Sequence, residues 1–344
     1  MKAAVYYSQQ DIRIEETPEP EIGEDEVLVE MKACGICGSD LMEWYLKPRS
    51  PLVLGHEPAG VVVRIGKNVN NLGVGDRVFV HHHVACLTCH YCLRGDYTLC
   101  EQFHSTNIKP GGFAEYFKVP GPNRQIDTLR IPLNLSFEEA TLIEPVGCCL
   151  RAIKKCRIQV GDSVAVIGAG FTGIIHTALA KIFGASKAFV SDLFENRLAK
   201  AKRFGADITV NPNTQDFSRV VKTETEDRGA DVAIVTAPSL EAYKTALNVC
   251  RKGGKICVFA PTMPGKVLEI SPKELFFSEV QIIPSYSTSH LETREALELI
   301  RMGKINVKDL ITHRFSLAET AKAFKTALES KESLKVMLVS GGES

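Results

Sequence analysis

The sequence lacks any excess of charge of one sign and any long apolar run. Its 41 lysine and arginine residues balance 41 aspartate and glutamate residues, which gives a formal net charge of zero. This balance gives no electrostatic reason to expect nucleic acid or an anionic membrane as a partner. No uninterrupted apolar stretch approaches the ~18 residues typical of a transmembrane helix. We therefore expect neither a nucleic-acid nor a membrane partner.

A segment of the signal-peptide type is also missing. The first residues, "MKAAVYYSQQDIRIEE", turn polar and acidic too early for such a segment, which predicts a cytoplasmic location. Disulfides are rare in that reducing compartment. The eleven cysteines are accordingly expected to be thiols or metal ligands.

Internal repeats and low-complexity segments are absent, and the length of 344 residues favours two domains. Residues 1–140 contain short apolar strands with frequent glycine and proline, which predicts a small, mostly antiparallel β-barrel. From Gly161 onward, apolar strands alternate with helical segments, a pattern typical of a doubly wound parallel sheet. The predicted fold class is α/β. Residues after about 288 are expected to return to the first domain.

Four cysteines stand in the pattern C-x2-C-x2-C-x7-C, at Cys86, Cys89, Cys92 and Cys100. Four thiolates complete a tetrahedron around one zinc ion and leave no position for water or substrate. Gly95 and Asp96 within the run indicate an irregular loop. The segment therefore predicts a structural zinc site that holds a loop with little core of its own.

Catalysis needs an incomplete set of ligands, and two other segments supply one: "CGICGSD" at 34–40 and "LGHEPAG" at 54–60. Cys37, His56 and Glu57 offer a thiolate, an imidazole and a carboxylate, which leave one tetrahedral position of a zinc ion open. Gly55 and Pro58 bracket the His-Glu pair and predict a turn that lets the two adjacent side chains converge.

Glu144 stands at the start of a predicted helix, "LIEPVGCCLRAIKK". One interpretation is that its carboxylate completes the zinc shell or lies at its edge. The alternative is a carboxylate that stabilises a helix N-terminus. Cys148, one turn further along the helix, is a rival fourth ligand.

A cofactor site is predicted by G-x-G-x-x-G at Gly168, Gly170 and Gly173, with Phe171 and Thr172 inside the motif. A strand precedes the motif and a helix follows it, which is the context that dinucleotide binding requires. The glycines permit a tight turn and close approach of a pyrophosphate to the helix N-terminus.

The residue that selects between the two nicotinamide dinucleotides lies at the end of the next strand. Asp192 stands there, about 20 residues after the motif, where an acid accepts hydrogen bonds from the adenosine ribose. A carboxylate in this place favours NAD over NADP. Arg197 has two interpretations, as a partner for a 2′-phosphate or as a solvated helix charge.

Taken together, these motifs make the chain similar to the zinc-dependent medium-chain dehydrogenase/reductase family over essentially its whole length. They are "CGICGSD", "LGHEPAG", "GVGDRV", the four-cysteine segment, "GGFAEY", the "EP" at 144–145 and "GAGFTG". Glutamate at 57 and 144 makes the chain most similar to the sorbitol, threonine and sugar-alcohol dehydrogenase branch.

The resemblance implies a fold, domain boundaries and an assembly. It implies a GroES-like catalytic domain at 1–148 and 288–344, with a structural-zinc lobe at about 84–104, and a Rossmann NAD-binding domain at 149–287. It also implies two zinc ions per chain, one catalytic and one structural, and a homotetramer or homodimer.

Residue roles follow from the same resemblance. Cys37, His56 and Glu57 would bind the catalytic zinc, with Glu144 as a nearby acid. Ser39 would take the alcohol proton.

Around this set the resemblance also implies contributions from neighbouring residues. Asp40 would orient the ligand histidine. Many relatives place a histidine where Met42 stands, so the proton cannot leave by the same relay. His83 and Glu43 are candidate substrate contacts, while at least one ring of the run His81-His82-His83 is expected to be solvated.

The resemblance and the motifs together predict an NAD-dependent enzyme that oxidises a small-molecule secondary alcohol to a ketone. The expected substrate is a polyol, a sugar alcohol or a sugar derivative. L-Threonine or another amino alcohol is the alternative substrate. A non-catalytic protein that binds zinc and a dinucleotide is a further alternative, and the zero net charge disfavours a zinc-ribbon nucleic-acid binder.

Overall fold

The computed structural model of the chain describes residues 1–341, which divide into two compact units. The first unit contains residues 1–147 and 288–341, and the second contains residues 148–287. Across the described residues, no helix combines the length and the apolar character needed to span a membrane.

The strands, in chain order, are β1 Lys2–Ser8, β2 Asp11–Glu16, β3 Val27–Gly35, β4 Leu52–Val53, β5 Glu57–Ile65, β6 Arg77–Val80, β7 Tyr116–Val119, β8 Thr128–Arg130, β9 Ser163–Ile167, β10 Lys187–Ser191, β11 Ile208–Val210, β12 Ala230–Val235, β13 Cys250–Val258, β14 Gln281–Pro284, β15 Ile311–Ser316 and β16 Lys335–Val339.

The α-helices are α1 Glu43–Leu46, α2 His90–Leu93, α3 Glu101–Ser105, α4 Gly121–Asp127, α5 Phe137–Thr141, α6 Ile143–Cys156, α7 Phe171–Ile182, α8 Glu195–Arg203, α9 Phe217–Thr223, α10 Leu240–Val249, α11 Pro272–Ser278, α12 His290–Arg301 and α13 Thr320–Glu329. Short 3₁₀ turns occur at Gly38–Leu41, Lys47–Arg49, Tyr97–Leu99, Val307–Leu310 and Leu317–Glu319.

The first unit is built from two sheets. One has the order β2-β1-β4, and the other has the order β15-β16-β3-β5-β6-β8, with β7 also paired to β3. Strands β15 and β16 run parallel, and the other pairs run antiparallel. Buried side chains such as Val29, Val62 and Phe117 form its core. The prediction of a mostly antiparallel β unit is confirmed.

Strand β3 brings together parts of the first unit that are distant in sequence. It pairs with β5, where Gly35 lies opposite Glu57, and with β16, where Gly35 lies opposite Met337. The last strand of the chain therefore runs beside the two segments that carry the predicted zinc ligands.

The second unit is a six-stranded parallel sheet in the order β11-β10-β9-β12-β13-β14. Strand β9 is buried along its whole length, as expected for a central parallel strand covered on both faces. The strand order reverses between β9 and β12, and such a switch point is where open α/β sheets bind ligands. The predicted doubly wound sheet is confirmed.

Candidate active site

The structure brings Cys37, His56 and Glu57 together. Cys37 precedes the 3₁₀ turn Gly38–Leu41, His56 precedes β5, and Glu57 is the first residue of β5. One donor atom from each lies within 4.8 Å of the others. Zinc bonds of about 2.0–2.3 Å place the donors of one ion roughly 3–4 Å apart, so the three side chains fit zinc after small rotations.

A turn was predicted around His56 and Glu57, with Gly55 and Pro58 at its two ends. The prediction is wrong at Pro58. Pro58 lies inside β5, opposite Cys34 on β3. The change of direction comes from Gly55 instead, which has a φ of +89°. A Cβ there would lie 2.5 Å from the ring of Phe113, so both the conformation and the space require glycine. This backbone reversal leads the chain into β5 with the side chains of both His56 and Glu57 near Cys37.

Asp40 ties two of the candidate ligands together. Its carboxylate is 2% exposed, accepts a hydrogen bond from the Cys37 amide at 3.0 Å, and lies 3.3 Å from His56 Nδ1. Burial acts to lower the pKa of His56, but Asp40 and Cys37 outweigh it and raise that pKa well above its usual value. Because Nδ1 faces the carboxylate, Nε2 is the nitrogen left to bind a cation.

Glu57 has a partner that the sequence did not suggest. Lys335, the first residue of β16, donates to Glu57 Oε1 at 2.7 Å and lies 2.5 Å from Oε2, and both residues are buried. Burial raises the pKa of Glu57, Lys335 opposes that rise, and Glu144 adds to it. Gly35 makes room for the pair, since a Cβ there would lie 1.9 Å from Glu57 Oε2.

Glu144 is buried but does not join the group of Cys37, His56 and Glu57. Its carboxylate lies instead with the imidazoles of His81 and His82, with one donor atom from each residue within 4.8 Å of the others. Cys148, the rival ligand, belongs to none of the three donor groups found among residues 1–341.

At least one ring of the histidine run was expected to be solvated, and only His83 is partly exposed. His81 and His82 are buried, at 0% and 8% exposure, and His83 is partly buried. The Asn123 amide donates to the carbonyls of His81 and His82, which fixes the backbone with the rings turned inward. Burial lowers the pKa of His83 to about 4 and that of His82 well below its usual value.

His83 itself faces a neighbouring loop. Its Nδ1 lies 2.5 Å from the Thr106 carbonyl, and its ring packs 5.2 Å from that of Phe103. Phe103 also belongs to the small core beneath the four-cysteine lobe. The lobe and the histidine run are thus packed through one aromatic side chain.

The four sulfurs of Cys86, Cys89, Cys92 and Cys100 also lie within 4.8 Å of one another. The Cys89–Cys92 and Cys86–Cys92 sulfur distances are 3.5 and 3.9 Å. Four thiolates at ~2.3 Å from one zinc ion are about 3.8 Å apart, so this group fits zinc. The lobe is more regular than predicted, because Cys92 lies in α2 and Cys100 caps α3.

The remaining predicted residues of this unit lie just after Cys37. Ser39 is partly exposed within the 3₁₀ turn, and Met42 follows that turn. Glu43 begins α1 and is half-buried. Burial and the nearby Glu43 carboxylate raise the pKa of Tyr6, whose hydroxyl is buried without a hydrogen-bond partner. Glu43 is therefore not a fully solvated surface acid.

In the second unit, the glycine motif lies between β9 and α7. Gly168 has a φ of +104°, and a Cβ at Gly173 would lie 1.9 Å from the Gly168 carbonyl oxygen. Gly170 caps α7 and has open space where a Cβ would stand. Phe171 and Thr172 form the first turn of α7. The motif thus leaves room for a phosphate group at the helix N-terminus.

Asp192 is fixed beside this motif. Its Oδ2 accepts from the Ala169 amide at 2.6 Å, and its Oδ1 accepts from the Phe194 amide at 2.9 Å. Each carboxylate oxygen retains a second lone pair for a ribose hydroxyl. The guanidinium of Arg197 lies over the Phe194 ring at 4.9 Å.

Comparisons with known proteins identify the family of the chain. Residues 23–132 match the family described as "Alcohol dehydrogenase GroES-like domain", and residues 172–302 match "Zinc-binding dehydrogenase". The chain is 38% identical to sorbitol dehydrogenase of Bacillus subtilis over 352 aligned positions, which cover 98% of this chain and 97% of that protein.

Two solved structures have similar folds. The 2R,3R-butanediol dehydrogenase of Bacillus subtilis has a TM-score of 0.87 at 28% identity, and 99% of each chain is covered. A protein from Sinorhizobium meliloti, described as a zinc-binding dehydrogenase and bound to NADP, has a TM-score of 0.89 at 29% identity, with 98% of each chain covered.

Proposed function

Because the chain belongs to the zinc-dependent medium-chain dehydrogenase family, in its polyol branch, we propose that it oxidises a secondary alcohol to a ketone and reduces NAD. The substrate is a polyol, a sugar alcohol or a sugar derivative. The observation that carries this proposal is the partly buried group of Cys37, His56 and Glu57, which leaves one coordination position of a zinc ion for the substrate oxygen.

Each residue of the site has a distinct part in this reaction. When bound, zinc supplies a Lewis acid that polarises the substrate oxygen. Asp40 holds His56 Nδ1, so that Nε2 is the nitrogen that would hold the ion. Ser39 accepts the proton of the alcohol. Met42 has no group that can accept it in turn, so the proton leaves Ser39 by another path.

The substrate class is supported by what the similar proteins are named for. Sorbitol and 2,3-butanediol both carry a hydroxyl group beside the carbinol carbon that is oxidised. Such a substrate presents a second hydroxyl to the protein. Glu43, half-buried and six residues after Cys37, is our candidate to accept a hydrogen bond from it. His83 is a weaker candidate, since its Nδ1 already faces the Thr106 carbonyl.

NAD preference is proposed to come from Asp192. The carboxylate is held beside the glycine turn by two backbone amides, so it cannot swing away from the ribose site without losing both bonds. A 2′-phosphate in that place would meet a fixed negative charge. The packing of Arg197 on Phe194 supports a structural role for that guanidinium.

We also propose a homodimer or homotetramer. Strand β14 forms one edge of the six-stranded sheet, and α11, which precedes it, exposes Phe276 and Phe277 at 75% and 70%. An exposed edge strand beside exposed aromatic side chains is suited to pairing with a second copy of the chain. Sedimentation of the wild type and of a Phe276→Ser/Phe277→Ser variant tests this assembly. The cytoplasmic location stays a prediction from the sequence.

The reaction is tested by NADH absorbance with polyols, sugar phosphates, amino alcohols and simple secondary alcohols, combined with zinc analysis. We expect about two zinc ions per chain and activity with polyols. Cys37→Ser should lose one zinc and the activity while the fold is retained, because the two zinc sites are separate. Cys92→Ser is the matched control and should first lower stability or assembly. A folded Cys37→Ser variant that keeps both zinc ions and its turnover would contradict the proposed site.

A further inference from the structure

A second group of metal-binding side chains lies outside the predicted catalytic ligands. It consists of His81, His82 and Glu144, and one donor atom of each residue lies within 4.8 Å of the others. The three residues are at most 8% exposed. The His82 ring lies 4.9 Å from the ring of His56, so the group borders the catalytic one.

The ring of His81 is oriented as in a metal ligand. Its Nδ1 lies 2.8 Å from Asp127 Oδ2, and both side chains are fully buried. The Thr293 hydroxyl donates to the same carboxylate at 2.7 and 2.9 Å, which keeps Asp127 an acceptor. Nδ1 therefore carries the proton, and Nε2 presents a lone pair. A carboxylate behind the far nitrogen is the usual support of a metal-binding histidine.

Two ring nitrogens in this group have no partner. His81 Nε2 and His82 Nδ1 are buried and make no hydrogen bond. A buried polar atom without a partner is destabilising, and most buried polar atoms in folded proteins are satisfied by protein, water or an ion. A metal ion bound by His81 Nε2 and His82 Nδ1 would give both nitrogens a partner.

The charges around the two groups leave room for a second divalent cation. The charged groups that belong to the two sites, or are linked to them by ion pairs, are the acids Asp40, Glu57, Asp127 and Glu144, the Cys37 thiolate, and the bases Lys335 and Arg294. Five negative and two positive groups leave three negative charges, and one zinc ion removes two of them. The site thus remains anionic with the catalytic ion in place.

We propose that His81, His82 and Glu144 form a second, weaker binding site for a divalent transition metal such as Zn²⁺, beside the catalytic one. Two imidazoles and one carboxylate are a known ligand set for zinc. The site lacks a thiolate, so it binds less tightly than the site of Cys37. An ion there holds the Glu144 carboxylate away from the catalytic zinc, and the enzyme is therefore inhibited by excess metal.

The binding test counts metal ions on the full-length wild-type protein after dialysis against chelator-buffered Zn²⁺ of increasing concentration. Elemental analysis should rise from two to three zinc ions per chain in a saturable step. His82→Phe keeps an aromatic ring but removes the nitrogens, and zinc binding to this variant should stop at two ions per chain. His104→Phe, the same change at an exposed histidine, is the matched control and should reach three.

The absorption spectrum of the Co²⁺-loaded wild type is an independent test of the site. It tests the proposal even if His82→Phe fails to fold. The third Co²⁺ should add ligand-field absorption without any added thiolate-to-cobalt charge transfer, because this site contains no sulfur. A third ion that adds charge-transfer absorption would overturn the proposal, as would wild type that stays at two ions. A third ion retained by His82→Phe, or a second ion lost from it, would also overturn it.

The test of inhibition by Zn²⁺ depends on the proposed reaction, whereas the count of bound metal ions does not. Activity of the wild type should fall over the same Zn²⁺ range in which the third ion binds. The activity of His82→Phe is compared with its own activity at low zinc. The Zn²⁺ concentration that inhibits this variant should be at least tenfold higher than the concentration that inhibits the wild type. A third ion that binds without inhibition would refute the role of Glu144 and leave the binding site standing.

Discussion

Replacing Lys335 with methionine tests the buried ion pair at the active site. Lys335 and Glu57 are 3% and 0% exposed in their side chains, and the nitrogen lies 2.5 Å from Oε2. Removing one partner of such a pair leaves an uncompensated buried charge, which costs about 3–5 kcal/mol. We expect Lys335→Met to destabilise the zinc-depleted protein by about this amount.

The same change should tighten zinc binding. When zinc is present, the Glu57 carboxylate has a second cation beside it, so the loss of Lys335 costs less in the zinc-loaded protein. If about 1.4–3 kcal/mol of the cost is recovered on binding, the zinc dissociation constant falls by roughly ten- to a hundredfold. Competition with a chelator measures this constant, and unfolding of chelator-treated protein measures the stability.

Two further variants make the test specific. Lys32→Met breaks an ion pair of the same length, with Glu30 at 2.5 Å, but those side chains are about one-third exposed. It should cost at most ~1 kcal/mol and leave zinc affinity unchanged. The double variant Lys335→Met/Glu57→Gln should recover part of the stability, since no buried charge is then left unpaired. Unchanged or weaker zinc binding in Lys335→Met would refute the reasoning, because it would mean that the lysine supports Glu57 as a ligand.

Three other changes probe separate parts of the chain. Asp192→Ala should weaken NAD binding by ~1–3 kcal/mol and narrow the gap to NADP in cofactor titrations, whereas a wild type that prefers NADP would contradict the assignment. Glu43→Gln should raise KM for hydroxyl-rich substrates by a factor equivalent to the loss of ~1–3 kcal/mol of binding free energy, but should leave KM for a simple secondary alcohol unchanged. Equal effects on both substrates would exclude a substrate contact. Burial acts to raise the pKa of Asp231, but bonds from Ser163 and Arg251 lower it. Its stabilisation is therefore present above the unfolded pKa of ~3.9 and is lost as pH falls through the lower folded value, so Asp231→Asn should cost ~1–2 kcal/mol in urea unfolding at pH 7 and progressively less as the pH falls below ~3.9.

Local spacing was enough to predict the features whose residues are close in sequence. The four cysteines of the lobe fall within fifteen positions, so their spacing alone predicted a group that the structure shows to fit zinc. The glycine motif could be predicted because strand, turn and helix follow one another directly. The two-unit α/β fold could be predicted because barrel-type and Rossmann-type segments differ in periodicity.

Short motifs also predicted Cys37, His56 and Glu57 as a group, but not how they are held. The turn assigned to Pro58 is a strand, because β5 pairs with β3 from Glu57 onward. The burial of His81 and His82 was missed for a related reason. The burial of a run of three polar rings is not visible in the sequence, because it depends on long-range bonds such as those from the Asn123 amide of α4 to the carbonyls of His81 and His82.

The contacts that decide the charge of the site join residues far apart in the chain. Lys335 is 278 positions from Glu57, and Thr293 is 166 positions from Asp127. Local sequence periodicity cannot predict such pairs. The first depends on the register of β16 against β3, and the second depends on the packing of α12 against α4. Local sequence patterns therefore predict the fold class, the candidate zinc ligands and the cofactor motif. Which charges face Glu57, and that Glu144 lies with two histidines, depends on long-range strand register and burial, which set those distances.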